Sequence, residues 1–278
     1  DMTFIRTSLV ILGLAIATTT MGQGIIRHNA PAPKATVKKP ATTAASPAKQ
    51  RAVAQLVKNM VYVQGGTFTM GRTSSKAYWN DSGDKPAHQV TVGSFYICKY
   101  EVTQQLWKAF MGTNPSWTKA DNMPVEWVNW VTAQKFIQKL NAYSGKRFRL
   151  PTEAEWEFAA RGGTRSHNYL YSGSDDINEV AWWHDNSGGK LHAVGTKHPN
   201  ELGLYDMTGN AYEWCSDWQA PYQAAAQTNP KGPQSGRWRV MRGGNCNSSD
   251  SETGVMTRSQ CLPDIATCCG IRLVCDRL

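Results

Sequence analysis

The chain is poor in most of the signatures that mark an enzyme. It has no G-x-S-x-G elbow, and its Gly-Gly pairs sit in turn-like contexts, so no Gly-rich loop is set to cradle a phosphate. His88, His167, His184, His192 and His198 are scattered, and none stands at metal-ligand spacing from another His or from a carboxylate on a helix face. Acidic residues are almost missing from the first 58 positions, where Asp1 faces eight Lys and Arg. Residues 59–278 then hold 22 basic and 20 acidic side chains, so the formal charge of +9 belongs to the leading segment. The remainder is nearly neutral, which removes the electrostatic case for nucleic acid.

No apolar run is long enough for a permanent membrane-spanning helix. The longest, Leu9 to Ala17, follows Arg6 and precedes small and polar residues, the layout of a secretory signal peptide over residues 1–23. Export is therefore expected, to a cell surface, periplasm or medium, and no Cys follows the run as a lipoprotein attachment site would need. Residues 24–58, rich in Ala, Pro, Thr and Lys, read as a flexible basic tether that touches an anionic surface or keeps the chain soluble. Seven cysteines in an exported chain point to disulfides, although the odd count leaves one thiol over and no spacing matches a structural zinc site.

With an apolar fraction of 41%, residues 59–278 can bury a sizeable core. "MVYVQGGTFTMG" reads as a hairpin about Gly65-Gly66, and "HQVTVGSFYICKYEVT" as a second strand pair. Thr103 caps a short helix stopped by Gly112. Ala133, Phe136, Ile137, Leu140 and Tyr143 lie at helical spacing before Gly145. In "RFRLPTEAEWEFAARGG", Thr152 and Glu155 form a capping box. Beyond it come long Gly-, Asn- and Ser-rich connections with short strands, so the fold class is α+β with small antiparallel sheets, few helices and much loop. Eleven Trp supply plates to anchor those loops.

The stretches "GGTFTMG", "YEVTQQLWKAFMGTNPS", "MPVEWVNWVTAQKFIQKLNAYSGKRFRLPTEAEWEFAARGG", "NELGLYDMTGNAYEWCSDW", "RVMRGG" and "GIRLV" resemble, in order, the formylglycine-generating-enzyme/sulfatase-modifying-factor family. That resemblance implies a C-type-lectin-like fold. It also implies a calcium ion at Asp206, Gly209, Ala211 and Glu213, where two carboxylates and the carbonyls of a Gly-Asn turn suit a hard cation. Catalytic relatives resemble one another in two cysteines, with four residues between them, that hold copper soon after the Arg-Gly-Gly. Here fourteen residues separate Cys246 from Cys261, and the side chains of vicinal Cys268 and Cys269 point to opposite sides of an extended segment, so no oxidase is expected.

The end of the chain instead resembles a non-catalytic branch, the variable proteins of diversity-generating retroelements, in Arg242-Gly243-Gly244, "NCNSSDS", Arg258, Pro263-Asp264 and Gly270-Ile271-Arg272-Leu273. Asn247, Ser248, Ser249, Cys261, Leu262, Ile265, Thr267, Cys268 and Cys269 stand at the matching variable places. Each is reachable from an Asn codon by changing its adenines alone. The resemblance implies an exported binder with a hypervariable face over about 245–269, whose ligand is a protein or glycan at a cell or phage surface. The alternatives are a structural or interaction member of the family, with cysteines of this loop disulfide-bonded, and, less favoured, the oxidase itself.

Overall fold

The computed structural model describes residues 46–72 and 83–278. The segment expected as a signal peptide, and most of the expected tether, lie outside the described residues. The last part of that tether is a helix, α1 (Pro47–Lys58), with Pro at its start. Its Leu56 is buried in the core beside α2 (Gln104–Met111), and the Lys49 ammonium sits 5.5 Å from the Phe110 ring centroid. Low hydropathy hid a helix that needs one buried Leu and partly buried Ala52, Val53 and Val57 to dock.

The two expected hairpins pair otherwise. Strand β1 (Met60–Val63) joins β4 (Phe95–Cys98), and β2 (Gly66–Met70) joins β3 (His88–Val92), with one register running through both pairs. Together they form a single long ribbon, bent where a side chain on Gly65 would lie 2.5 Å from the Val92 carbonyl oxygen. The Gly65-Gly66 pair is thus a bend in the ribbon and not the turn of a hairpin.

Three small sheets result, in the orders β1-β4-β10, β2-β3-β6 and β8-β7-β5-β9. Their remaining strands are β5 (Tyr212–Trp218), β6 (Gln227–Thr228), β7 (Arg239–Arg242), β8 (Arg258–Cys261), β9 (Cys269–Gly270) and β10 (Val274–Cys275). Most pairings are antiparallel as expected, but β3-β6 and β5-β9 are parallel. Helix α2 has its Thr103 cap and left-handed Gly112 stop. Helix α3 (Trp130–Ser144) is capped by Asn129, and α4 (Glu153–Ala160) carries the full Thr152/Glu155 box. Short helices α5 (Ile177–Val180) and α6 (Asp250–Thr253) complete the set.

The tryptophans anchor irregular backbone as their number suggested. Trp214 Nε1 donates to the Val128 carbonyl at 2.7 Å, and Trp182 stacks on His192 at 3.6 Å. No helix among the described residues is long and apolar enough to cross a membrane.

Candidate ligand-binding face

The stretch from 242 to 274 is pinned to the scaffold at three arginines, each buried and each facing a carboxylate. Arg242, at the end of β7, meets Glu157 of α4. Arg258, at the start of β8, makes a two-pronged pair with Glu153 of α4, at 2.6 Å from Nε and 2.8 Å from Nη2. Arg272, just before β10, pairs with Glu213 of β5 at 2.6 Å. Glu153 and Glu157 are one turn apart, so a single face of α4 supplies two of the three anchors. Burial alone would weaken such pairs. Here each pair has hydrogen-bond partners beyond its counter-charge, which helps a buried ion pair to hold, although Arg242 Nε is buried with none among the described residues. The two Arg charges on Glu157 keep its carboxyl below the usual range despite burial.

Between the first two pins Asn245, Cys246, Ser248 and residues 253–257 are buried, and the remaining side chains up to 268 reach solvent at least in part. A side chain on Gly244 would lie 2.5 Å from Thr253 Cγ2, so the Arg-Gly-Gly passes directly beneath α6. Asn247 and Ile265 are exposed, Ile265 by 48%, and Ser249, Cys261, Leu262, Thr267 and Cys268 are half-buried. These seven expected contact residues are reachable from solvent. Two are not. Ser248 is buried, with its hydroxyl donating to the Tyr212 hydroxyl, and Cys269 is fully buried because β9 pairs with β5 in the core. Counting codons could not tell a position on the face from one in the strand beside it. Ser249 also starts α6, sharing a capping box with Glu252.

Sequence reasoning missed the neighbouring wall. Val128 N–H donates to the Cys269 carbonyl, Val131 N–H to the Pro263 carbonyl and the Asn129 amide to the Asp264 carbonyl. This brings Trp127 and Val131, 44% and 40% exposed, alongside the 263–269 segment. Trp127 holds φ at +58°, a left-handed conformation that is costly for a bulky residue and is not repaid by burial. The signal available in sequence was the apolar surplus of "EWVNWV", which one helix face could not absorb.

The cysteines are described as seven free thiols. The β7-β8 register puts Cys261 beside Arg239, whereas Cys246 lies beyond Arg242 at the other end of that pair, and the strand between spans roughly 10 Å. Burial pushes the Cys246 thiol up to about 11. Among the described residues no group of three or more His, Cys, Asp or Glu could hold a metal ion.

The expected calcium turn is built but partly committed. Asp206 Oδ2 accepts from the Gly195 N–H at 2.7 Å, while its Oδ1 is buried without a partner, and burial pushes this carboxyl up to about 6. The Gly209 N–H donates to the Gly243 carbonyl, tying the turn to the Arg-Gly-Gly. The Ala211 N–H donates to Glu101, whose own carboxyl is raised by burial and by repulsion from Asp206 and Glu213. Glu213 gives its oxygens to Arg272 and to Trp156 Nε1. The free Asp206 oxygen and a backbone turn fit a hard cation; Glu213 is the donor already in use.

A family profile described as "Sulfatase-modifying factor enzyme 1-like domain" matches residues 44–277. The chain belongs to this family. The Treponema denticola variable protein 1 structure is similar at 32% identity and a TM-score of 0.71, covering 78% of this chain and 95% of that one. The chaperone protein LppX of Paenibacillus barcinonensis is 36% identical over 244 residues, 69% of this chain and 79% of that protein. The formylglycine-generating enzyme of Streptomyces coelicolor is 28% identical over 295 residues, 81% and 91% of the two chains. The relatives thus include a formylglycine-generating enzyme as well as proteins named for other roles, and the fold is shared with a variable protein.

Proposed function

We propose that the protein is an exported binder whose 245–269 face carries interchangeable contacts, diversified by a retroelement, for a protein or glycan ligand at a cell or phage surface. The observation that carries this reading is the pinning of Arg242, Arg258 and Arg272 on Glu157, Glu153 and Glu213, with accessible side chains between the pins. A segment whose stability resides in its anchors can change its exposed residues at little folding cost. The likeness to a variable protein supports it. No enzyme activity is assigned, because Cys246 and Cys261 are at opposite ends of a strand pair and Cys246 is buried. A calcium ion belongs to the same reading as a structural brace, held by Asp206 with the backbone of Gly209 and Ala211 and sharing Glu213 with Arg272. Such an ion would lock the turn that carries the Arg-Gly-Gly, and Arg272 balances the second carboxylate.

Sequencing the flanking DNA tests the proposal. The expected result is a near-repeat of the codons for 242–274, with Asn codons at the variable places, beside a reverse transcriptase gene. Oxidation of a sulfatase-type Cys peptide by the reduced, copper-loaded protein would overturn it in favour of the oxidase.

A further inference from the structure

A cavity of about 340 Å³ lies away from the variable loops, between the end of β5, the start of α4 and the segment 219–233. Its apolar lining includes Met70, Ala154, Pro221 and Pro233. Two polar groups in its wall are buried yet incompletely used. Asp217 is 4% exposed, and its Oδ2 accepts from the Glu153 N–H at 3.0 Å and from the Ser216 hydroxyl at 2.9 Å, while no hydrogen bond reaches Oδ1 among the described residues. His88 is 5% exposed, with Nδ1 3.1 Å from the Pro86 carbonyl. A carbonyl only accepts, so Nδ1 carries the proton, and in the neutral ring Nε2 is left with a lone pair and no partner among the described residues.

Of the other charged groups of the wall, Glu153 and Arg258 answer one another, and Lys231 is exposed to solvent. Both Glu153 oxygens take Arg258, one also takes the Tyr222 hydroxyl, and Arg258 Nη1 donates to the Gly83 and Ala220 carbonyls. The buried part of the wall therefore leaves two acceptors, Asp217 Oδ1 and His88 Nε2, without a donor among the described residues. An ammonium has three donors and no acceptor, and a short methylene stem matches the apolar walls.

We propose that this cavity binds an alkylammonium group, seated against Asp217 and His88 with its methylenes along the Met70 and proline walls. A lysine side chain of a partner polypeptide and a free diamine share this chemistry.

Asp217 faces Glu153 and Glu155 from α4, Cys215 on its own strand and Arg239 from β7, while His88, Tyr222, Arg258 and Lys231 line the same cavity. Burial, reinforced by Glu153, pushes the Asp217 carboxyl up to about 7, and the Ser216 and Glu153 N–H bonds oppose that. An alkylammonium stays charged well beyond this range, so its binding follows ionisation of Asp217 and strengthens about tenfold between pH 6 and pH 8.

Calorimetric titration of the full chain with 1,5-diaminopentane, Nα-acetyl-lysine methylamide and neutral 1,5-pentanediol, at pH 6 and pH 8, reads this directly. Saturable amine binding with that pH dependence, and none for the diol, is expected. Tighter binding of the lysine amide assigns the site to a polypeptide, and tighter binding of the diamine assigns it to a free amine. Asp217→Asn should weaken amine binding at least tenfold at pH 8. In case this variant misfolds, the ¹³Cγ titration of Asp217 in the unaltered protein should move to lower pH when amine is added. An unmoved Asp217 titration at saturating amine, or equal binding of the diol, would overturn the proposal. Neither result bears on the variable face, which the DNA test addresses separately.

Discussion

Replacing Glu213 by Gln leaves its size and its bond from Trp156 Nε1 nearly intact and removes one charge. Arg272, fully buried, then faces that loss with a guanidinium tied to the Cys98, Lys99 and Tyr205 carbonyls and unable to reach solvent. Breaking one side of a buried pair costs about 3–5 kcal/mol, several times the cost of one neutral hydrogen bond. Arg272→Met should cost at least as much, because it strands the Glu213 carboxylate and three carbonyls together. The double variant should fall short of the sum by about 2 kcal/mol, since the second change removes the partner that the first left exposed to the cost. Urea unfolding followed by Trp fluorescence gives all three values from shifts in midpoint at constant slope. A Glu213→Gln loss below about 1 kcal/mol, or strict additivity, would refute the account of Arg272 as the pin that holds the end of the 242–274 stretch.

Further outcomes follow from the same geometry. Ile265→Ser and Asn247→Thr should each change stability by less than about 0.5 kcal/mol, whereas Cys269→Leu, overfilling the β5-β9 contact, should cost about 1–3 kcal/mol in the same urea assay. Trp127→Asn should raise the melting temperature, because Asn tolerates φ of +58° that costs a bulky residue about 1–2 kcal/mol. Asp217 binds its proton more tightly folded than unfolded. Its contribution is therefore complete below the unfolded value near 3.9 and is lost as pH rises through about 7. Asp217→Asn, neutral throughout, should be increasingly more stable than the unaltered protein from pH 4 to pH 8 in parallel melts. Added calcium should raise the melting temperature at pH 8, chelator should reverse it, and Asp206→Asn should blunt the response.

Local signals in the sequence carried helices well. Thr103, Thr152 with Glu155, Gly112 and Gly145 act within one turn of themselves, so their capping geometry is written in neighbouring letters. Strand pairing was less legible, because the partner of β1 lies past an intervening ribbon and a Gly-Gly bend looks the same as a Gly-Gly turn from inside one segment. Helix α1 was hidden for the opposite reason: its docking rests on a few contacts with α2, invisible in its own composition. The frame of the candidate face was readable in Arg242, Arg258 and Arg272. Their partners were not, since Glu153, Glu157 and Glu213 are ordinary acids until folding brings them across. Ser248 and Cys269 show the limit of the codon argument, which reports what a position can become and not which way it faces.

Strand β10 adds a last consequence. It pairs with β4, which also holds β1, so one short sheet joins the first strand of the domain to the last. The chain beyond 269, with Arg272 pinned on Glu213, is what brings β10 to that sheet. A copy that terminates early or slips its reading frame anywhere in 245–269 loses the clasp, leaves Glu213 unanswered and cannot complete its core. Under the proposed diversification, folding would act as an inspector of each new version, passing altered surfaces and discarding damaged messages.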